Sequence, residues 1–218
     1  MRRHDSIIFD LDGTLWDGAE TAAKGWGLAL QSCGVRGVEI SPDDIRSVAG
    51  QPFEVCVRTL FPDLPESSGA EFLRALDAGE RTLFEAHGGR IFPGVTEGIA
   101  LLSADHDLFL VSNCQQWYLE CFWKQYGLRR YFSSWDCHGA SGAAKSEMIE
   151  LIVDRHAVMN PIYIGDTEGD KQAADAAGVD FGYASYGFGR VAASAPAFAS
   201  FGELVAWFGR PGVRDAAS

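Results

Sequence analysis

The chain lacks an excess of basic residues, paired cysteines and any long apolar run, and each absence argues against a class of function. Its 218 residues carry 18 Lys and Arg against 30 Asp and Glu, a formal charge of −12. With a pI near 4.7, this balance argues against nucleic acid or an anionic membrane as partner, since both need basic patches. It leaves an anionic small molecule open, because a bound cation inverts the sign of a local site. The five cysteines, Cys33, Cys56, Cys114, Cys121 and Cys137, are odd in number and scattered. That spacing argues against a disulfide framework and against zinc, and it predicts free thiols in a reducing cytoplasm. No apolar run approaches the roughly 20 residues that cross a bilayer. Met1-Arg2-Arg3-His4-Asp5 enters the first expected strand at once and leaves no room for a signal peptide.

What is present is the composition of a globular protein, 47% apolar and 22% charged. The length allows one core with a smaller accessory unit. Strand-like runs at about 6–10, 107–112, 133–137, 161–165 and 180–184 alternate with helical patterns at about 95–104, 115–126, 145–155 and 168–177. Such alternation predicts an α/β fold with a doubly wound parallel sheet. Residues 16 to 90 differ. They hold no convincing strand but helical patterns at about 17–33, 42–48, 51–60 and 67–86, broken up by Pro62, Pro65 and Ser67-Ser68-Gly69. The expected organisation is a core of residues 1–15 and 91–218 with an inserted α-helical cap of residues 16–90, hinged near 15–17 and 88–94. An insert leaving the carboxyl end of a strand sits over the site that end carries, which makes it a lid by position. The tail, residues 211–218, is expected to fray.

The chemistry concentrates where apolar runs end. Ile7-Ile8-Phe9 gives way to Asp10-Leu11-Asp12-Gly13-Thr14. Two aspartates at one strand tip are costly unless something positive neutralises them. Asp10 is placed to attack phosphorus, and Asp12 to give a proton to the leaving oxygen and take one from water. Gly13 lets the backbone approach a phosphate, and Thr14 offers a hydroxyl. The competing reading is an Asx-type turn after a strand. Ser112 and Asn113 end a second run with uncharged donors suited to a phosphoryl oxygen, or with an ordinary helix cap. Lys145 opens a helical pattern, where a cation opposes the helix dipole. The position makes sense if its ammonium reaches a phosphate and Asp10. Asp166 ends a third run, with Asp170 four residues on. These are hard oxygen ligands of the kind Mg²⁺ prefers, or a capping aspartate with a solvated partner.

Phe9-Asp10-Leu11-Asp12-Gly13-Thr14-Leu15, Val111-Ser112-Asn113, Lys145 and Gly165-Asp166-Thr167-x-x-Asp170 resemble the four ordered motifs of the haloacid dehalogenase-like hydrolase superfamily. Within it the chain is similar to the phosphoglycolate-phosphatase-like and β-phosphoglucomutase-like branch with a helical cap. Phe92-Pro93-Gly94-Val95 and Tyr186-Gly187-Phe188-Gly189 also look like that branch. The resemblance implies Asp10 as nucleophile and Asp12 as general acid and base. It implies Mg²⁺ held by the Asp10 side chain, the Asp12 carbonyl and Asp166. Asp170 would support the metal's water shell or Lys145, and Ser112 and Lys145 would hold the transferring phosphoryl group.

Departures narrow the subclass. Dehalogenases lack an aspartate at the position of Asp12, and phosphonatases replace it and use a cap lysine, whereas the expected cap holds only Lys24. The mutase branch often has paired acids where this chain has Gly165-Asp166. The expectation is a Mg²⁺-dependent phosphatase acting on a small phosphorylated metabolite, in the cytoplasm, as a monomer or homodimer. A phosphomutase is the nearest alternative. A phospho-aspartate receiver and an inactive phosphate-binding protein are the rivals from other classes. Gly50-Gln51-Pro52 is expected to present a loop toward the site. Arg46 and Arg58 are candidates for a substrate carboxylate, though each reads more readily as a solvated helix face. Trp16 and Trp26 read as packing.

Overall fold

Strand β1 (Ser6–Phe9) is buried along its whole length. Successive side chains point to opposite faces of a strand. Ile7 and Phe9 therefore join one core cluster with Leu108, Leu110, Ile162 and Ile164. Ile8 joins another on the far face with Phe109, Val111 and Tyr163. Burial on both faces is why these runs are continuously apolar rather than alternating. The structure is a computed structural model that describes residues 4–63, 66–192 and 196–209, with side chains throughout except at 66–69. Pro65, the Ser67-Ser68-Gly69 side chains and the tail at 211–218 lie outside what is described.

The remaining elements are, in chain order, β2 (Trp16–Asp17), α1 (Ala19–Ser32), α2 (Pro42–Val48), α3 (Phe53–Leu60), α4 (Glu66–His87) and β3 (Arg90–Ile91). Then come α5 (Val95–Leu102), β4 (Asp107–Ser112), α6 (Gln116–Tyr126), a 3-10 turn at Leu128–Tyr131, β5 (Ser134–Cys137), α7 (His138–Ser141) and α8 (Lys145–His156). The chain closes with β6 (Pro161–Gly165), α9 (Glu168–Ala176), β7 (Asp180–Ala184), β8 (Ala197–Phe198) and α10 (Phe201–Phe208).

The main sheet runs β5-β4-β1-β6-β7-β8, with every pair parallel. The chain builds outward from β1 through β4 to β5, then returns to the other side of β1 for β6, β7 and β8. That reversal is a topological switch point, and ligands bind beyond the carboxyl ends of strands at such points. Phe9 is level with Leu110 on one side and Ile164 on the other. The tips carrying Asp10, Ser112 and Asp166 therefore emerge side by side.

Between β2 and β3 lie α1 to α4, with their own apolar cluster of Trp26, Leu30, Val57, Phe72 and Leu76. The two exits of this helical segment pair as a short antiparallel ribbon, Trp16 with Ile91 and Asp17 with Arg90. Helices α1 and α4 cross closely at two glycines. A Cβ on Gly25 would stand 2.6 Å from the Glu80 Cα, and one on Gly79 would stand 2.8 Å from the Gly25 carbonyl oxygen. Neither helix tolerates a side chain there, and the close crossing brings Glu80 against Trp26. The ribbon, β8, α7 and α10 have no counterpart in the sequence-based expectation, since two-residue strands and a four-residue helix offer no periodicity to read. All five cysteines are free thiols. Among the described residues, no helix is long and apolar enough to cross a membrane.

Candidate active site

Asp10, the residue after β1, is 1% exposed. Its Oδ1 accepts a hydrogen bond from Lys145 Nζ at 2.9 Å, and the same ammonium donates to Asp170 Oδ1 at 2.6 Å. Lys145 is buried at the first turn of α8, where two carboxylates outweigh its conflict with the helix dipole. Asp170 is held from its other oxygen. Oδ2 accepts from the Asp166 and Thr167 backbone N–H groups and from Thr167 Oγ1, at 3.2, 3.0 and 2.7 Å. Thr167 Oγ1 accepts in turn from the Asp170 N–H, so the capping box that starts α9 also aims Asp170 at Lys145. Tyr163, in β6, donates its hydroxyl to the Val111 carbonyl at 2.9 Å and lies 3.4 Å from Asp10 Oδ1.

Asp166 is fully buried. Its Oδ2 accepts from the Phe188 and Gly189 N–H groups at 2.6 and 3.1 Å. Gly13 has φ +78°, and a Cβ there would overlap the Asp166 carboxylate, so only glycine fits this turn. Oxygens of Asp10, Asp166 and Asp170 all lie within 4.8 Å of one another. Asp10 Oδ2 and Asp166 Oδ1 are buried without a hydrogen-bond partner among the described residues. Unpartnered carboxylate oxygens within such a buried cluster are the donor set that a hard divalent cation takes.

The electrostatics agree. Three buried carboxylates surround one ammonium, which leaves an excess of negative charge. Burial raises the Asp10 carboxyl well above its usual range against the pull of Lys145, and Asp170 and Asp166 add to the rise. Asp166 is pushed to about 7, by burial first and by Asp170 second. Burial works against the Lys145 charge, but Asp10 and Asp170 outweigh it and hold its pKa well above the ordinary lysine value. Asp12 accepts from the Tyr118 hydroxyl at 2.5 Å, and burial lifts its carboxyl to about 6.

Asp12, Ser112 and Asn113 line a cavity of about 90 Å³ that extends under α1 to α4. The structure thus gathers Asp10, Lys145, Asp166 and Asp170 into one buried cluster, with Asp12 and Ser112 at the adjoining cavity. Ser112 Oγ accepts from the Cys114 N–H at 3.3 Å, leaving its own proton free to donate. Asn113 Nδ2 donates one of its two protons to the Gly50 carbonyl at 2.8 Å, tying the loop at Gly50 to the carboxyl end of the sheet. The Thr14 hydroxyl is buried without a partner among the described residues, and its carbonyl accepts from the Tyr186 hydroxyl at 2.8 Å.

Neither arginine candidate reaches the cavity. Arg46 is bound at 2.8 Å to Asp17 and at 2.7 Å to Asp43, and Arg58 is exposed on α3. Trp16 is wholly buried packing, whereas Trp26 also lines the cavity and donates to Glu80. Sequence reasoning passed over Tyr163, Tyr118 and Glu80. Tyr163 reads as one more core aromatic in a strand, and the other two lie on helices whose relative packing no local pattern encodes.

A family model described as haloacid dehalogenase-like hydrolase matches residues 7–184. The chain belongs to this family of hydrolases, and its parallel sheet flanked by helices is that family's Rossmann-like core. A phosphoglycolate phosphatase of Rhodobacter capsulatus is 28% identical over 182 residues, spanning 81% of this chain and 82% of that protein. Among solved structures, a haloacid dehalogenase-like family protein of Streptococcus pneumoniae superposes with a TM-score of 0.80 at 22% identity. That match covers 95% of this chain and 100% of the other. A protein of Haemophilus somnus, described as a predicted phosphoglycolate phosphatase, gives 0.81 at 21% identity, covering 95% and 99%.

Proposed function

We propose that the chain is a Mg²⁺-dependent phosphatase that hydrolyses small phosphate monoesters through an aspartyl-phosphate on Asp10. The observation that carries this reading is Asp10 itself: buried, clamped on one oxygen by Lys145, unpartnered on the other, and beside a second carboxyl at the mouth of a cavity. Asp10 Oδ2, Asp166 Oδ1 and the Asp12 carbonyl would hold the cation. When bound, it supplies positive charge against the phosphoryl oxygens and against the carboxylate excess.

In the first half-reaction a carboxylate oxygen of Asp10 bonds to phosphorus as the ester P–O bond breaks. Asp12 gives its proton to the departing alkoxide, with Tyr118 fixing the carboxyl's orientation. Lys145 and the Ser112 hydroxyl meet the negative charge on the phosphoryl oxygens, where positioning and electrostatics dominate this chemistry. In the second half-reaction Asp12, now ionised, takes a proton from water. The water oxygen bonds to phosphorus, the Asp10–phosphorus bond breaks, and phosphate leaves with Asp10 restored. The helical segment at 16–90 acts as the cap, closing the cavity over the alcohol half of the ester.

Hydrolysis of a panel of small phosphate esters, with Mg²⁺ and with chelator, tests the reading. Turnover that requires the cation supports it. Turnover unchanged by chelator, or none with any ester, contradicts it.

A further inference from the structure

The far half of the cavity contains a carboxyl that this reaction does not use. Glu80, on α4, is 7% exposed and lines the cavity. Its Oε2 accepts from Trp26 Nε1 at 2.8 Å, and its Oε1 has no hydrogen-bond partner among the described residues. No Lys, Arg or His among the described residues stands in the lining, which is instead walled by Trp26, Phe53, Trp117, Tyr118 and Phe188. Arg46, the cation that packs beside Phe188, is paired with Asp17 and Asp43. Burial lifts the Glu80 carboxyl from 4.5 to about 8 against the Trp26 hydrogen bond, and Asp12 and Asp77 add to the rise.

We infer that the alcohol half of the substrate carries no negative charge and presents an O–H or N–H donor to Glu80, as a polyol or an amino alcohol does. The inference deepens the phosphatase reading and rests on it. An ester bearing a carboxylate would place that group beside the Asp12 and Glu80 carboxyls with no Lys, Arg or His in the lining, where lost hydration opposes it and an ionised Glu80 adds like charge. A hydroxyl pairs with Glu80 in either protonation state. An ammonium draws Glu80 toward its ionised form and meets aromatic faces as well, which suits a cation. This chemistry departs from the substrate named for the Rhodobacter capsulatus relative, despite the shared family.

The test compares kcat/KM for ethanolamine phosphate, glycerol phosphate and 2-phosphoglycolate in the Mg²⁺-loaded wild type, with p-nitrophenyl phosphate as an activated reference. At least one donor-bearing ester is expected to exceed 2-phosphoglycolate on the order of 10- to 100-fold, the range of a hydrogen bond to a charged group. Glu80→Ala is expected to reduce that preference to within about threefold. Glu80→Gln keeps the shape and an acceptor, so it separates the two donors: an ammonium ester loses its advantage, and a polyol ester keeps most of it. It also stands in should the alanine variant fail to fold. With the reference ester hydrolysed, an equal or better rate on 2-phosphoglycolate, or a preference unchanged by either variant, overturns the inference and leaves the phosphatase reading standing. An inert reference ester overturns the phosphatase reading, and the inference with it.

Discussion

The buried charge cluster and the cavity that adjoins it are built by opposite means. At the sheet end, the Lys145 ammonium joins Asp10 and Asp170 through charged hydrogen bonds, with the Asp166 carboxylate beside them, each side chain at a strand tip or the first turn of a helix. At the helical end, aromatic walls surround a single carboxyl that has one neutral partner and one open oxygen. The first end is preorganised around charge and suits a phosphoryl group whatever it is attached to. The second has little charge to offer and suits a neutral or cationic group. On the proposed reading, reaction and selectivity sit on separate parts of the chain, which lets one change without the other.

Substitution at the sheet end should have the largest effects. Asp10→Asn keeps the volume and removes the nucleophile, so turnover should fall by roughly three orders of magnitude or more while the circular dichroism spectrum is unchanged. Wild-type rates in that variant would remove covalent catalysis at Asp10. Next in size, Asp12→Asn should slow alkyl phosphates by about 10²- to 10⁴-fold and p-nitrophenyl phosphate much less, because a poor leaving group needs the proton more. An equal loss on both esters would argue against Asp12 as the acid.

The comparison also extends to stability. Lys145→Met leaves Asp10 and Asp170 buried without their ammonium and should cost about 3–5 kcal/mol, read from urea midpoints. A loss under about 1 kcal/mol would mean that the cluster is more solvated than its burial implies.

Glu80 adds an effect on stability that builds gradually with pH. Its folded pKa of about 8 lies above the ordinary 4.5. Between those values the folded state keeps a proton that the unfolded chain releases, so stability falls as pH rises, by at most about 1.4 kcal/mol per pH unit. Glu80→Gln lacks this loss. Its stability relative to wild type should therefore climb from pH 5 to 8 and level off above. A difference that is flat across that range would show Glu80 to be solvated rather than enclosed.

How much of the site is legible in the sequence follows from where each residue sits. Asp10, Ser112 and Asp166 end apolar runs, and a parallel sheet brings the ends of its central strands together, so their clustering can be read from the chain alone. Lys145 is legible as a cation at the wrong end of a helix, an anomaly resolved by Asp10 and Asp170. Tyr118 and Glu80 are not. Glu80 is placed by the crossing of α1 and α4 at Gly25 and Gly79, a contact between segments some fifty residues apart, and Tyr118, on α6, by its packing on Trp16 and Phe84. Arg46 shows the converse. A basic residue that reads as a solvated helix face, or as a partner for a substrate carboxylate, pairs with two carboxylates of the protein itself.

The most direct test of the central claim is to trap the phosphoenzyme. Wild type turning over a phosphate ester with Mg²⁺ is quenched in acid within a single turnover, digested and examined by mass spectrometry. The account predicts one phosphoryl group on the peptide carrying Asp10, absent in Asp10→Asn. Steady hydrolysis with no adduct at any time point, or an adduct on another residue, would contradict it.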